Sequence, residues 1–179
     1  MLQPAPAQEI SLHAGNTLTY QVNENNEKNI LTFQINSLQP HMMIDWKKNN
    51  KFRDFGNFSI TQDAIQNAIN ILFSLTSTSE QTELFDQLPG FIISKSMFEK
   101  IKLSKKARIR TDCNLRAEDL IFKKENKIHL MVNGKASETG ILKLSFGNFN
   151  DELWILDNPD FPLVVKMKGL NSWELTGIN

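Results

Sequence analysis

The chain has 179 residues, with 20 Lys and Arg against 20 Asp and Glu, so its formal net charge is zero. This length fits one domain that buries about 70% of its unfolded surface, and the zero charge gives no long-range field for nucleic acid. The single cysteine, Cys113, excludes an internal disulfide. No apolar run reaches the about 18 residues of a membrane-spanning helix, so we expect no transmembrane segment. Because the net charge is zero, we also expect no nucleic-acid partner.

The first twelve residues are predicted to be a lead-in that precedes the domain. We expect residues 1–12 to be disordered or extended and residues 13–179 to form a single β-rich domain. Ala5-Pro6-Ala7 places small residues two apart, as before a signal-peptide cleavage site, but a disordered Pro/Ala/Gln segment is the preferred explanation. The given chain does not contain a complete signal peptide, so the residues alone leave the compartment open.

Apolar residues that alternate with polar ones predict a hairpin and a third strand in the first third of the chain. Phe52, Phe55 and Phe58 around Gly56 predict a further strand that is bent or bulged. The alternating positions are Leu18, Tyr20 and Val22, then Leu31, Phe33 and Ile35, and then Met42, Ile44 and Trp46.

The period then changes to that of a helix. Ile65, Ala68, Ile69 and Leu72 follow the i, i+3, i+4, i+7 spacing, which predicts an amphipathic helix from Thr61 to about Leu75. Thr61 can cap its first free amides. We expect this helix to cover the apolar face of the sheet.

A second, shorter helix is predicted after the Ser/Thr-rich loop and the Pro89-Gly90 turn. Ser96 and Glu99 form a capping box for one or two helical turns that carry Met97, Phe98 and Ile101. We expect this helix to close one end of the sheet.

The second half of the chain returns to strand periodicity. Leu120 to Phe122 and Ile128 to Val132 are predicted to form a hairpin around Lys123 to Lys127, and Asn133-Gly134 is typical of a tight turn. Three more antiparallel strands are expected between Trp154 and Thr176, with a stiff loop at Asn158 to Pro162. The predicted fold is α+β, mainly β: a strongly curved antiparallel sheet, or half-barrel, of about nine strands, wrapped around one main helix plus a short helix.

Particular residues carry a family resemblance, which covers roughly Leu18 to Ile178. The chain resembles uncharacterised exported β-rich domains of Gram-negative bacteria, which are distantly like the lipoprotein-carrier half-barrels of the cell envelope. The resemblance implies a curved sheet around a helix and a periplasmic or cell-envelope location, and it implies no activity, cofactor or catalytic residue. The matching residues are Ile92-Ile93-Ser94-Lys95, Phe98, Ile101, Val132-Asn133-Gly134-Lys135, Trp154-Ile155-Leu156-Asp157-Asn158-Pro159, Pro162-Leu163, Lys166-Met167, Trp173-Glu174-Leu175 and Ile178.

No catalytic, cofactor or metal residue is assigned from the sequence. His13, His41 and His129 lack a spacing that would place two metal ligands on one face, and His129 is expected to be a solvated strand residue. Cys113 lacks a nucleophile signature and is expected to be an inert, half-buried thiol. Asn57-Phe58-Ser59 fits the glycosylation acceptor pattern, but a three-residue pattern is a weak signal in a chain this rich in Asn.

Two acidic groups and one basic run are the remaining candidates. The acids could act as an acid/base pair if they met across a cleft, although turn chemistry explains them more simply. The basic run could contact an anion or a lipid headgroup, although a strand that discourages edge-to-edge pairing is the preferred interpretation. The acids are Asp112, Glu118 and Asp119, then Asp151, Glu152, Asp157 and Asp160, and the basic run is Lys100, Lys102, Lys105, Lys106, Arg108 and Arg110.

Seven apolar residues are expected to line the concave side of the curved sheet. They are core if the helix covers them all, and any that it leaves uncovered would form the wall of an apolar pocket. The seven are Phe33, Ile35, Met42, Ile44, Trp46, Leu142 and Leu144.

Three functional hypotheses follow. The first is a non-enzymatic exported domain that binds an apolar or amphipathic ligand, such as a lipid, or a protein partner, through the open side of the sheet. The second is an envelope assembly or scaffold protein without a small-molecule site. The third is a hydrolase that uses the acidic loop residues. The residues do not disclose the ligand, the partner or the oligomeric state.

Overall fold

The computed structural model describes residues 10–24, 26–49, 54–112, 114–146, 151–169 and 172–179. Within these residues the protein is mainly β, as predicted, with two helices and thirteen strands instead of about nine. The helices are α1 (Gln62–Asn67) and α2 (Lys95–Ser104). The strands are β1 (Thr17–Glu24), β2 (Glu27–Ser37), β3 (Met42–Lys48), β4 (Phe55–Ile60), β5 (Asn70–Leu72), β6 (Gln81–Leu84), β7 (Gln87–Pro89), β8 (Lys106–Thr111), β9 (Asn114–Val132), β10 (Lys135–Phe146), β11 (Glu152–Leu156), β12 (Val164–Lys168) and β13 (Ser172–Ile178).

The thirteen strands form one strongly curved sheet whose two ends lie next to each other. The hydrogen-bonded order is β6-β4-β3-β2-β1-β13-β12-β11-β10-β9-β8-β5-β7. The first and last strands of this order, β6 and β7, follow each other in the chain with only residues 85 and 86 between them. We call residues 81–89 the seam. The seam therefore joins both edges of the sheet. Its strands β6 and β7 have only four and three residues, and short edge strands discourage edge-to-edge association.

The sheet is mixed, whereas the sequence pattern predicts an antiparallel one. β6 pairs in parallel with β4, β7 with β5, and β5 with β8. A further parallel bridge joins Ile178 to Val132, and the Asn133 backbone N–H donates to the Ile178 carbonyl at 2.7 Å. This contact brings β9 against β13, so the strands from β13 through β12, β11 and β10 to β9 form a partial ring. Alternation along one strand carries no information about the direction of its neighbours, so the pattern could not reveal these pairings.

Aromatic rings fill the concave side of the sheet. The Phe33 ring lies 4.5 Å from that of Phe91 and 5.8 Å from that of Tyr20, measured between centroids. Tyr20 is fully buried, and its hydroxyl donates to the Val164 carbonyl at 2.7 Å. Burial raises the pKa of Tyr20 far above its ordinary value, so the hydroxyl stays neutral and its hydrogen bond is kept.

Residues 91–93 cross the concave side and bind the start of β12. The Val164 N–H donates to the Phe91 carbonyl at 2.8 Å, and the Ile93 N–H donates to the Pro162 carbonyl at 3.2 Å. This segment supplies buried apolar side chains to the core. The interior is therefore filled by a crossing segment as well as by helices.

The predicted extent of the Thr61 to Leu75 helix is wrong. Thr61 does cap the helix, with its Oγ1 accepting from the Ala64 N–H at 3.1 Å, but α1 ends at Asn67 and β5 follows it. Ile69, Ile71 and Phe73 also alternate with a period of two, and Ile71 pairs with residues of both β7 and β8. β-branched side chains and pairing partners on both sides favour the strand.

The main helix is instead α2. It has ten residues, and it begins after Ser94, whose Oγ accepts from the Met97 N–H at 3.3 Å, and not at Ser96 as predicted. Met97, Phe98 and Ile101 are buried, as the pattern predicts. α2 contacts α1, β8 and β9, so the longer of the two helices packs at the β8 and β9 side of the sheet.

The prediction of a hairpin around Lys123 to Lys127 is also wrong. These residues lie inside β9, a single strand of 19 residues that pairs with β8 and β10. Their side chains are exposed, and residues 124–127 pair with β10, which keeps this charged stretch extended. The Asn133-Gly134 turn is confirmed, with φ of 49° and 73°, as two-residue hairpins require.

The end of the predicted lead-in packs against the domain. Ile10 and Leu12 are buried, and the Asn158 Nδ2 donates to the Ile10 carbonyl at 2.6 Å. The Asn158 Oδ1 accepts from the N–H groups of Asp160 and Phe161 at 2.9 Å and 3.2 Å. The same side chain thus fixes its own turn and the incoming segment. Residues 1–9, with Ala5-Pro6-Ala7, lie outside the described residues.

The bulge predicted near Gly56 is replaced by a close approach of two strands. The register of β3 and β4 is unbroken from Met42 opposite Ile60 to Lys47 opposite Phe55, and Phe52 lies outside the described residues. An ideal Cβ at Gly56 would lie 2.6 Å from the Trp46 Nε1. The glycine therefore leaves room for the indole ring.

We expect Gly56→Ala to destabilise the fold by about 1–3 kcal/mol, because the new methyl group must displace a packed indole. Gly177→Ala is the matched control, since the nearest atom to its ideal Cβ is 3.8 Å away. Urea unfolding of both variants measures the free energies. Equal free energies of unfolding would contradict the tight packing of Trp46 on Gly56.

Candidate functional site

A cleft of about 330 Å³ lies on the concave side of the sheet. β1, β2, β3 and β13 form its floor and one wall, and residues 73–77 pass over it. We call residues 73–77 the strap. The lining residues are Val22, Glu24, Leu31, Trp46, Lys48, Asp54, Phe73, Ser74, Leu75, Ser77 and Trp173.

The floor of the cleft is apolar and aromatic. Val22 and Trp173 are cross-strand partners on β1 and β13, and Trp46 projects from the same concave face of β3. The Phe73 ring packs edge-on against Trp173, with centroids 5.9 Å apart and planes at 87°. Trp46 and Trp173 are only 3% and 2% exposed, and the Phe73 ring of the strap, 9% exposed, covers part of Trp173.

The mouth of the cleft is charged. Glu24 and Lys48, at the ends of β1 and β3, form an ion pair. Their side chains remain 28% and 25% exposed. The Lys48 N–H also donates to the Asp54 carbonyl at 2.8 Å, which fixes Asp54 beside the pair. Charges of both signs therefore lie next to an apolar floor.

Two attachments hold the strap in place. At one end the Asp112 carboxylate accepts hydrogen bonds from the N–H groups of Phe73, at 3.0 Å, and Ser74, at 2.7 Å. Just beyond the other end the Thr78 N–H donates to the Phe55 carbonyl at 3.1 Å. The strap thus spans from the turn after β8 to the start of β4.

The seven apolar residues predicted to line the concave side are all buried core. Only Trp46 among them also lines the cleft. Val22 and Leu31 belong to the predicted first hairpin, whereas the other cleft residues come from positions that sequence reasoning assigned to turns, to a helix end and to the C-terminal strand. Nothing in the sequence signals that residues 24, 54, 73 and 173 come together, because the pairing of distant strands creates the cleft.

The acidic candidates have structural partners. Asp157 pairs with Lys102 and Asp160 with Lys95, at 3.0 Å and 3.5 Å. Asp112 binds the two strap amides. Glu118 makes further contacts, and Asp151 lies close to Gly169. Turn and strand contacts therefore occupy most of the residues that the acid/base hypothesis would use.

Two further acids lie on the convex face or at its edge. Glu152 receives the Trp154 Nε1 hydrogen bond at 3.2 Å and lies 2.9 Å from the Lys143 Nζ. The hydrogen bond from Lys143, more than any other contact, holds the pKa of Glu152 below its ordinary value. Asp119 lies 2.7 Å from the Lys106 Nζ.

Three of the six residues of the basic run, Lys102, Lys106 and Arg108, lie close to acidic side chains. Lys102 lies 3.0 Å from Asp157 and 3.5 Å from Glu125, and Arg108 lies 3.8 Å from Asp119. The Lys105 ammonium lies over the Phe122 ring, 4.3 Å from its centroid. From the sequence, the basic run is expected to lie on an edge strand, where its charges would discourage edge-to-edge pairing. This prediction is wrong, because β8 pairs with β5 on one side and with β9 on the other.

The other sequence candidates do not form a site within the described residues. His129 is exposed on β9, opposite Glu138, as predicted. Asn57-Phe58-Ser59 lies in β4, between β3 and β6, where Phe58 and Ser59 are buried. Cys113 lies outside the described residues. In the part of the chain that the structure describes, no group of three or more His, Cys, Asp or Glu side chains could hold a metal ion. Neither α1 nor α2 is long and apolar enough to cross a bilayer.

Comparison of the chain with protein-family models, with curated proteins and with solved structures found no match. The resemblance to exported β-rich domains therefore stays a prediction.

The contacts of Lys102 lead to a prediction about pH. Burial alone would lower the pKa of Lys102, but hydrogen bonds and charge attraction from Asp157 and Glu125 raise it. Stabilisation by a raised lysine pKa is complete below the ordinary lysine pKa and is lost as the pH rises through the folded-state value. We expect a double-mutant cycle of Lys102→Ala and Asp157→Ala to give a coupling of about 0.2–1 kcal/mol at pH 7, declining in strongly alkaline solution.

Urea unfolding of the four proteins measures this coupling. Lys100→Ala, combined with Asp157→Ala, is the control, because Lys100 forms no ion pair with a described residue. A coupling with Lys102 no larger than that with Lys100 would contradict the ion pair.

Proposed function

We propose that the protein is a non-enzymatic binding domain that holds a small amphipathic ligand in the cleft. One observation carries this proposal: the apolar and aromatic floor lies directly beside the charged mouth. An amphipathic molecule matches this arrangement, because its apolar body can contact the floor and its polar head can contact the charged mouth. Ligand sites in proteins commonly combine apolar walls with a few polar groups in this way.

The size of the cleft limits the ligand. Its volume of about 330 Å³ lies near the lower end of the about 300–1,000 Å³ of small-molecule sites. This volume suits a molecule with one short chain or ring system rather than a lipid with several chains. Glu24, Asp54 and Lys48 supply both signs of charge, which favours a zwitterionic or hydrogen-bonding head group.

The extracytoplasmic location is part of the proposal and rests on the family resemblance alone. Fractionation of cells that express the full-length gene tests it. Recovery of the protein with the cytoplasmic fraction would contradict the location without affecting the cleft.

We expect dodecylphosphocholine, used below its micelle-forming concentration, to bind with one-to-one stoichiometry. Trp46 and Trp173 lie in the floor, so binding should change the tryptophan fluorescence in a saturable way. Native mass spectrometry of the purified protein should also show any amphiphile that copurifies. A linear, unsaturable fluorescence response and a bare polypeptide mass would together contradict the proposal.

A matched pair of variants locates the binding. Ser77 lines the cleft, whereas Ser79, two residues further along, is exposed and does not. Ser77→Arg should weaken binding at least about tenfold, a loss of about 1.4 kcal/mol, because the long side chain fills the cleft. Ser79→Arg should bind like the wild type. Equal affinities would place the binding elsewhere on the protein.

A scaffold protein without a small-molecule site is the second candidate. The burial of all seven predicted concave residues favours it, because six of them contribute to the core alone and only Trp46 also lines the cleft. This candidate predicts that the purified protein carries no ligand and binds no amphiphile. The hydrolase hypothesis has no comparable support, since Asp157 and Asp160 are paired with lysines.

A further inference from the structure

We infer that the strap is the gate of the cleft and that the Asp112 carboxylate is its latch, an inference that rests on the proposed function. The floor is covered in this structure, so an apolar ligand reaches Trp46 and Trp173 only after the strap moves. The contacts of the strap indicate which bonds must break.

The latch consists of two hydrogen bonds to one carboxylate. The Asp112 Oδ1 accepts from the Phe73 N–H and its Oδ2 from the Ser74 N–H. Bonds from amides to an ionised carboxylate are stronger than neutral ones. The Asp112 N–H donates to the Ile71 carbonyl at 3.2 Å, which fixes the carboxylate opposite the start of the strap.

The Phe73 ring is the part of the strap that covers the floor. It packs against Trp173 and lies over Gly90, where an ideal Cβ would be 2.5 Å from the Phe73 Cδ1. Gly90 therefore leaves the space that the ring occupies. Moving Phe73 outward would expose the face of Trp173 to a ligand.

The middle of the strap has few attachments. Residues 75–77 make no hydrogen bond to the described part of the chain, and Leu75 is only half-buried. Segments with few hydrogen bonds and little burial open at low free energy, and lids over binding sites are typically of this kind. Release of the two latch bonds would therefore free the strap from Phe73 to Ser77.

The test compares Asp112→Ala with Asp45→Ala, which removes an exposed carboxylate from β3. Stopped-flow tryptophan fluorescence follows the binding of dodecylphosphocholine. If the strap must open first, the observed rate reaches a plateau at high ligand concentration that equals the opening rate. We expect Asp112→Ala to raise this plateau about tenfold, equivalent to about 1.4 kcal/mol, and Asp45→Ala to leave it unchanged.

Hydrogen exchange gives a second readout that does not depend on the alanine variant being fully stable. Asp112→Asn keeps the shape of the side chain and loses its charge. The Ser74 amide should exchange slowly in the wild type and at least about tenfold faster in Asp112→Asn, while the Tyr20 amide in β1 keeps its protection. Unchanged Ser74 exchange would overturn the latch.

The two proposals fail in different ways. If the wild type binds no amphiphile, the proposed function fails. If the wild type binds and Asp112→Ala has an unchanged plateau, the cleft remains a binding site and only the gate is overturned.

Discussion

The structure depends on the seam, which ties the first and last strands of the sheet together within nine residues. β6 and β7 remain the edge strands of the sheet, but they are only four and three residues long, so they expose few unpaired N–H and C=O groups. Here the same segment pairs with β4 through β6 and with β5 through β7. This connection fixes the curvature of the sheet and therefore the volume that side chains must fill on its concave side.

The two helices and the crossing segment of residues 91–93 fill most of that volume, and the cleft remains where they do not reach. α1 and α2 pack with β7, β8 and β9, and residues 91–93 cross to the start of β12. Beyond them, the strap passes over the cleft that Trp46 on β3 and Trp173 on β13 line, and its Phe73 ring packs against Trp173. The cover there is a short segment held by Asp112 at one end, and residues 75–77 make no hydrogen bond to the described part of the chain.

Charge is arranged locally, in keeping with a net charge of zero. The convex face carries Trp154 beneath the ammonium groups of Lys143, Lys166 and Lys168, at 4.7 Å, 5.5 Å and 5.4 Å from its ring centroid. Glu152 and Glu174 balance these lysines. Each exposed pair contributes little stability, but the pairing leaves the surface without a large field of one sign.

The sequence by itself determined the strands whose side chains alternate, such as Leu18 to Val22, and the Asn133-Gly134 turn, because period and turn chemistry are local properties. It also determined the cap at Thr61. Only the tertiary structure decided that Ile71 lies in a strand, because the apolar residues around it fit both a helical and a strand spacing. Its pairing partners in β7 and β8 favour the strand. The same holds for the cleft: Glu24, Asp54, Phe73 and Trp173 carry no common pattern, and long-range pairing alone brings them together.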